Sequence, residues 1–191
     1  MFSVADAVGA ARFVLVGFSM AGKFGRYMPY LRPERILGQV LIAPPGPEPL
    51  GMPREAFASW LEAAPDPGRF RPILSQFIKQ PVREDLLERY CAGVARASRA
   101  ALEGTIDMFY ESIVEQVSGI RVPTLVLAGD GDPILKPEYV RRCVVDSIPE
   151  ARLVTLPCGH EVPIEMPQET AWILQAFAAG VQGHMALAGT A

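Results

Sequence analysis

The chain alternates between short apolar runs and longer stretches with a helical pattern. The runs are rich in residues that favour strands, and they lie at 12–17, 39–43, 122–129 and 152–156. Such runs are too short for helices and are typical of strands that are buried on both faces of a parallel sheet. Helical patterns connect them, at 1–10, 23–31, 137–147 and 164–178. The sequence therefore predicts an α/β fold, with a mostly parallel sheet of about four strands, right-handed crossovers and flanking helices.

One long segment interrupts this alternation. Between 48 and 120 no strand pattern is present, and prolines break the helical patterns. Helices are predicted near 53–63, 69–79, 82–92 and 95–117. We therefore divide the chain into a core of 1–47 with 121–180 and a helical insertion of 48–120. Residues 181–191 are small and featureless and are predicted to be disordered, with a solvated His184.

Composition excludes several classes of function. Half of the residues (50%) are hydrophobic and 20% are charged, and the formal net charge of −3 comes without a run of like charges. We therefore expect a globular domain that binds neither nucleic acid nor an acidic membrane surface. Cys91, Cys143 and Cys158 are odd in number and widely spaced, which argues against disulfides and structural zinc. No signal peptide or membrane span is recognisable, so we expect a cytoplasmic protein.

Ser19 stands where the first predicted strand meets the following helix. Gly17 lies two residues before it, Ala21 two residues after it, and Gly22 comes next. A strand, a tight turn with small neighbours and a helix make a nucleophile elbow, which holds the serine in a strained turn and exposes its Oγ at the edge of the sheet. The alternative is that Ser19 is an ordinary residue of a strand-to-helix turn.

Two further polar residues follow predicted strands. Asp132 follows the third strand in the sequence GDGDP, and His160 follows the fourth in CGHEVPIEMP. Because the carboxyl ends of parallel strands converge on one edge of a sheet, Ser19, Asp132 and His160 are expected to meet there. Asp130, two residues earlier, is a rival for the acid. Cys158 lies in the loop of the histidine rather than on an elbow, so we expect a buried structural thiol.

These motifs together resemble the α/β-hydrolases. The GFSMAG turn, the chain order serine, aspartate, histidine and the loop after the last strand are similar to that family. The resemblance implies that Ser19 is the nucleophile, His160 the general base and Asp132 the acid, with the Met20 backbone N–H as an oxyanion donor. Some relatives place the acid at the position of Glu48. It also implies a serine hydrolase that cleaves a carboxylic ester or a similar small acyl substrate through an acyl-enzyme, without metal or cofactor.

The helical insertion resembles the family's cap domain. The resemblance implies that aromatic residues line an acyl pocket above Ser19, and we assign this role to Phe18, Trp60, Phe77 and Phe109. The alternative is that these side chains only pack the cap on the core. The acyl and leaving groups stay open, because lactonases, thioesterases, C–C hydrolases, aminopeptidases and perhydrolases use the same triad.

The resemblance begins only shortly before the elbow strand. The family's earlier strands, and the loop that supplies its second oxyanion donor, have no counterpart here. We therefore expect the first strand to form an exposed edge through which the chain self-associates. Weak turnover is expected for the same reason. The alternative function is a non-catalytic or truncated hydrolase remnant with an incomplete oxyanion hole.

Overall fold

A four-stranded parallel sheet lies at the centre of the computed structural model, which describes the backbone of residues 1–188 and the side chains of residues 1–182. The strands, in their spatial order, are β1 (Phe13–Phe18), β2 (Ile36–Ile42), β3 (Thr124–Gly129) and β4 (Arg152–Leu156). All neighbours pair in parallel, as the sequence predicts. Strand β2 begins at Ile36 rather than at 39, because Ile36 and Gly38 already pair with β1.

Helices form the remaining regular structure of residues 1–188. They are α1 (Phe2–Ala7), α2 (Met20–Gly25), α3 (Tyr27–Leu31), α4 (Ala58–Ala63), α5 (Pro67–Leu74), α6 (Glu84–Ala95), α7 (Arg99–Asp107), α8 (Val114–Val117), α9 (Pro137–Cys143), α10 (Val162–Glu165) and α11 (Pro167–Ala188). Short 3-10 turns join several of them. The predicted helix at 23–31 is divided into α2 and α3, and Pro29 lies inside the second.

Alternating side chains of the central strands form two separate apolar layers. On one face of the sheet Leu41 and Val126 pack with Val140 of α9. On the other face Val40 and Leu127 are packed by helix α11. The sheet is therefore covered on both faces, which explains why its central strands are apolar without alternation.

Strand β1 is the edge of this sheet. Within residues 1–188 no strand pairs with its other side, and Val16 in its middle is 46% exposed. The edge position of this strand agrees with the expectation from sequence. Self-association through it stays a prediction.

The insertion of 48–120 between β2 and β3 is helical, and we call it the helical segment. It has an apolar cluster of its own. Phe70, Leu74 and Leu87 are at the centre of this cluster. The prediction of one helix over 95–117 is wrong, because α7 ends at Asp107 and α8 begins at Val114. The residues between them bond instead to the segment that follows β2: the Leu50 N–H donates to the Phe109 carbonyl and the Ile113 N–H to the Pro47 carbonyl.

The C-terminal helix is longer than predicted. Helix α11 continues to Ala188, so the predicted disorder over 181–191 is wrong for residues 181–188. Alanine, methionine and leucine favour helices, and a glycine inside a helix costs only about 1 kcal/mol, so Gly180 does not end it. Residues 189–191 and the side chain of His184 lie outside the described part of the chain. No helix in the described residues is both long and apolar enough to cross a membrane.

Candidate active site

Ser19 occupies a strained turn between β1 and α2. Its backbone has φ of 50° and ψ of −119°, and a positive φ is uncommon for any residue except glycine. The Ser19 N–H donates to the Ile42 carbonyl (2.7 Å), and the Ser19 carbonyl accepts from the Gly22 N–H (2.8 Å). These bonds to the neighbouring strand and to the following helix hold the strained conformation in place.

Two glycines make the tight turn possible. A Cβ atom at Gly17 would lie 2.5 Å from the Ala21 carbonyl oxygen, and one at Gly22 would lie 3.0 Å from Cβ of Pro44. Ala21, which the motif also requires to be small, is exposed. The steric limits on this turn therefore fall on Gly17 and Gly22.

Hydrogen bonds connect Ser19, His160 and Asp132 in series. His160 Nε2 lies 3.0 Å from Ser19 Oγ, and His160 Nδ1 lies 2.7 Å from Asp132 Oδ2. The three residues follow β1, β4 and β3, so the parallel sheet brings them to one edge from distant parts of the chain. The imidazole is also held by its backbone, because the His160 N–H donates to the Phe77 carbonyl (2.8 Å).

The electrostatics of the pair fix the histidine tautomer. Burial opposes the charge on Asp132, but the hydrogen bond from His160 and the N–H donors of Leu135 and Ile134 lower its pKa below the ordinary value. Burial also opposes a charge on His160, but the bond to Asp132 and its negative charge raise the histidine pKa. An ionised Asp132 accepts a hydrogen bond from Nδ1–H. Nε2 of the neutral ring is then free to accept the Ser19 hydroxyl.

The alternative candidates for the acid and the nucleophile do not contact His160 in the way that Asp132 and Ser19 do. Asp130 forms an ion pair with Lys79 (2.7 Å) and its side chain is 47% exposed. Glu48 is exposed. Cys158 is fully buried, and burial raises the pKa of its thiol to about 12, so that it stays protonated at neutral pH. Of the predicted acids, Asp132 is the one that contacts His160.

A buried carboxylate that was not predicted from the sequence holds the histidine loop, the stretch 157–161 that carries His160. Glu165 Oε2 accepts hydrogen bonds from the backbone N–H groups of Lys79 (2.7 Å), Gln80 (2.8 Å) and Gly159 (2.9 Å). Its Oε1 accepts from the Glu161 N–H at 3.1 Å. Glu165 thereby ties the residues on either side of His160 to the helical segment. The signal in the sequence was a second glutamate in the otherwise apolar stretch after the histidine.

Two buried cations follow Ser19: Lys23 joins α2 to the helical segment, and Arg26 bonds to the loop after β2. Lys23 Nζ donates to the carbonyls of Glu48 (3.0 Å) and Phe109 (3.1 Å), and Arg26 Nη2 donates to the Pro45 carbonyl (2.6 Å). Both side chains are fully buried. Burial is the main reason why the pKa of Lys23 is lowered to about 8. No pattern in the sequence singles out these residues, because basic residues on a short helix are usually exposed.

A cavity of about 470 Å³ lies between the sheet edge and the helical segment, with Ser19 and His160 in its wall. Most of the other lining residues are apolar: Phe18, Met20, Leu50, Met52, Phe57, Trp60, Phe70, Ile73, Leu74, Phe77, Ile106, Phe109, Ile134 and Leu135. All four aromatic residues predicted for an acyl pocket are in this set. Met108 and Tyr110 belong to the same helical segment but do not line the cavity.

Polar side chains interrupt this apolar wall at Ser59, Gln76, Tyr90, Thr105 and Glu161. Two of them, Glu161 and Tyr90, are hydrogen-bonded to each other. Glu161 follows the histidine directly and is only 4% exposed, and the Tyr90 hydroxyl donates to its Oε1 over a long distance of 3.4 Å. Its other oxygen, Oε2, has no hydrogen-bond partner among the described residues. Burial raises the pKa of Glu161 to about 7 and raises the pKa of Tyr90 as well. Neither residue was assigned a polar role from sequence.

No metal site is recognisable in the described part of the chain. Within it, no group of three or more His, Cys, Asp or Glu side chains could hold a metal ion.

Comparison with known proteins shows extensive similarity. A model of the "Alpha/beta hydrolase family" matches residues 3–171. A Synechocystis protein named "Putative non-heme chloroperoxidase" is 32% identical over 165 residues, which are 76% of this chain and 59% of that protein. The crystal structure of a membrane phospholipase A described as a bacterial virulence factor is 28% identical with a TM-score of 0.73, over 94% of this chain and 60% of that chain. An esterase from Thermogutta terrifontis has a TM-score of 0.77 at 19% identity, over 93% of this chain and 69% of that chain, a likeness of fold alone.

This chain spans about three fifths of the length of the chloroperoxidase homologue and of the phospholipase. The matched residues 3–171 include the turn at Ser19, the helical segment, Asp132 and His160. The parallel sheet with its flanking helices agrees with the fold of the solved relatives. The chain therefore belongs to the alpha/beta hydrolase family.

Proposed function

We propose that this protein is a serine hydrolase that cleaves a carboxylic ester or a similar acyl substrate through an acyl-enzyme on Ser19. The observation that carries the proposal is the series of hydrogen bonds from Ser19 through His160 to Asp132, with the serine in the wall of an apolar cavity. Membership of a hydrolase family, and an esterase among the proteins of the same fold, support hydrolysis in general.

The geometry suits two successive acyl transfers. In the first, Ser19 Oγ attacks the carbonyl carbon while its proton passes to His160 Nε2. The tetrahedral intermediate then breaks the bond to the leaving alcohol, which takes the proton from Nε2. In the second, water attacks the acyl-enzyme, gives a proton to Nε2 and releases the acid and the Ser19 hydroxyl. Asp132 stabilises the imidazolium that forms in both steps.

The Met20 backbone N–H is the proposed donor to the oxyanion. Met20 is the first residue of α2, and the first N–H groups of a helix have no partner inside the helix. An N–H group in this position would face the carbonyl oxygen of an ester that is attacked by Ser19. One such donor typically contributes roughly 10²–10³ in kcat.

The cavity is the proposed acyl site. Phe18, Trp60, Phe77 and Phe109 present apolar surface around the serine. The rings of Phe18 and Phe77 also lie against the imidazole, with centroids 5.4 and 6.3 Å from that of His160. In this proposal 48–120 acts as a cap that excludes water from the reacting carbonyl.

A panel of p-nitrophenyl esters with increasing acyl length tests the proposal. We expect slow hydrolysis by the wild type and none above background by Ser19→Ala. Ser3→Ala, which removes an exposed hydroxyl in α1, is the matched control and should behave as the wild type. Hydrolysis that Ser19→Ala retains would contradict the role of this serine, whereas a wild type that hydrolyses no ester would favour the non-catalytic alternative.

A further inference from the structure

Glu161 precedes helix α10 and Glu165 ends it, and these two buried carboxyl groups have different surroundings. Glu165 accepts four backbone hydrogen bonds. These four bonds explain why a carboxyl group is buried at position 165. Glu161 has one long bond, from the Tyr90 hydroxyl at 3.4 Å, and its Oε2 has no partner among the described residues. Glu165 therefore has a structural role, whereas one carboxyl oxygen of Glu161 has no hydrogen bond among the described residues.

An unsatisfied buried carboxyl is unfavourable for stability. A buried polar oxygen without a partner loses its hydrogen bonds to water and gains none in return, so an apolar residue at this position would make a more stable wall. Glu161 is 4% exposed, and it lines the same cavity as Ser19 and His160. Oε2 itself has almost no accessible surface, so a bound molecule can satisfy it when the Glu161 side chain turns toward the cavity.

The protonation state of Glu161 bears on which ligand group could hydrogen-bond to its carboxyl. Burial raises its pKa to about 7, the charge of His160 and the Tyr90 bond oppose this, and the negative charges of Glu165 and Asp132 add to it. Near neutral pH the Glu161 carboxyl group is therefore ionised in part of the molecules, where it only accepts, and protonated in the rest, where it can also donate. A hydroxyl group satisfies both forms, because it donates and accepts. An ammonium or an amide N–H only donates.

We infer that the Glu161 carboxyl group forms a polar subsite that selects substrates carrying a hydroxyl group close to the scissile carbonyl. This inference rests on the proposed function, since the carbonyl is the one attacked by Ser19. The hydroxyl belongs either to the acyl chain, as in esters of hydroxy acids, or to the alcohol, as in monoesters of diols. In both cases the contact is a hydrogen bond to the Glu161 carboxyl group, in a cavity whose wall is mostly apolar.

Matched pairs of esters test the subsite. For the acyl side, kcat/KM is compared for p-nitrophenyl 2-hydroxybutyrate, 3-hydroxybutyrate and butyrate. For the alcohol side, 2-hydroxyethyl butyrate is compared with propyl butyrate by acid release. In each pair the ratio of the two constants is the readout, because a change in the basicity of His160 affects both members alike.

We expect the wild type to prefer a hydroxylated member by about tenfold or more, the discrimination typical of a hydrogen bond to a charged group. Glu161→Leu should bring that ratio close to the ratio of the spontaneous hydrolysis rates of the same two esters. Glu161→Gln keeps an acceptor oxygen and nearly the same volume, so it should retain part of the preference. Tyr90→Phe keeps the carboxyl and should retain the preference as well. Equal ratios in the wild type and Glu161→Leu, on both the acyl and the alcohol side, would overturn the inference.

A binding measurement separates this inference from the proposed function. In Ser19→Ala, methyl 2-hydroxybutyrate, methyl 3-hydroxybutyrate, 2-hydroxyethyl butyrate, methyl butyrate and propyl butyrate are titrated while the fluorescence of Trp60 in the cavity wall is followed, with Trp172 replaced by Phe. Tighter binding of a hydroxylated ester than of its partner, lost when Glu161→Leu is added, supports the subsite even if the wild type hydrolyses nothing. Equal binding within every pair overturns it, whatever the esterase activity.

Discussion

Asp132 and His160 shift each other's pKa in opposite directions. The shared hydrogen bond lowers the pKa of Asp132 below 3.8 and raises that of His160 above 6.5, in each case against the effect of burial. His160 must be neutral to accept the Ser19 proton. We therefore expect kcat/KM for an ester to fall as the pH drops through the raised pKa of His160. The pH profile of p-nitrophenyl ester hydrolysis checks this, and an acid limb centred below 6.5 would contradict it.

The same shifts predict how stability depends on pH. The raised pKa of His160 contributes stability that is fully present below 6.5 and is lost as the pH rises through the folded value. The lowered pKa of Asp132 contributes stability that is present above 3.8 and is lost as the pH falls through the folded value. The contribution of the pair is therefore greatest between these two ordinary values. Urea unfolding at several pH values should show that Asp132→Asn removes most stability within this window.

Asp132 and Asp130 provide a matched pair of substitutions. Asp132→Asn keeps the shape but removes the acceptor that fixes the tautomer of His160, so we expect kcat to fall by roughly 10⁴. Asp130→Asn breaks an exposed ion pair with Lys79, which is worth about 1 kcal/mol or less, and kcat should stay within a few-fold of the wild type. Ester kinetics of both variants decide the assignment, and a larger loss for Asp130→Asn would show it to be wrong.

At the scale of the element, the turn from β1 to α2 depends on the space that glycine leaves. A Cβ at Gly17 would lie 2.5 Å from a backbone oxygen, which cannot move without displacing the start of α2. We expect Gly17→Ala to cost about 1–3 kcal/mol in unfolding free energy and to lower ester turnover. Gly104→Ala in α7 is the control, because a Cβ there has no atom within 4 Å, and it should stabilise by about 0.5–1 kcal/mol. Denaturant unfolding measures both, and equal effects would contradict this account of the turn.

The histidine loop depends on Glu165. Glu165→Ala leaves four backbone N–H groups without their acceptor, so we expect a loss of about 2–4 kcal/mol. Glu165→Gln keeps an acceptor oxygen and should lose less. Glu62→Ala, at an exposed position of α4, should change the unfolding free energy by less than about 0.5 kcal/mol. A Glu165→Ala protein as stable as Glu62→Ala would show that the loop is held in another way.

Elements with a local cause could be predicted, and those that depend on distant contacts could not. The four strands follow from apolar runs, and β4 has the predicted bounds of 152–156. The break between α7 and α8 could not be foreseen, because it arises from hydrogen bonds to residues near the end of β2. Glu165 was missed for the same reason, since two of its four partners, the N–H groups of Lys79 and Gln80, are distant in the chain. Ser19, Asp132 and His160 could be found because each directly follows a strand.

At the scale of the whole molecule, the order of the strands assembles the candidate site. Strands β1, β3 and β4 end at the same edge of a parallel sheet, so residues far apart in the chain come within hydrogen-bond distance there. The helical segment closes the cavity above them, and it is tied to the sheet through Lys23 and Glu165. The depth of the cavity and its polar subsite depend on how these parts pack, which no local pattern in the sequence encodes.

The reactivity of Ser19 is the central claim, and covalent labelling tests it most directly. A fluorophosphonate forms a P–O bond with an activated serine and releases fluoride, so it reports the nucleophile even where turnover is slow. Peptide mass spectrometry of the labelled protein should find the phosphonyl group on Ser19, with labelling lost in His160→Ala and retained in Asp130→Asn. A folded protein that stays unlabelled, or one labelled equally at Ser19 with and without His160, would contradict the account.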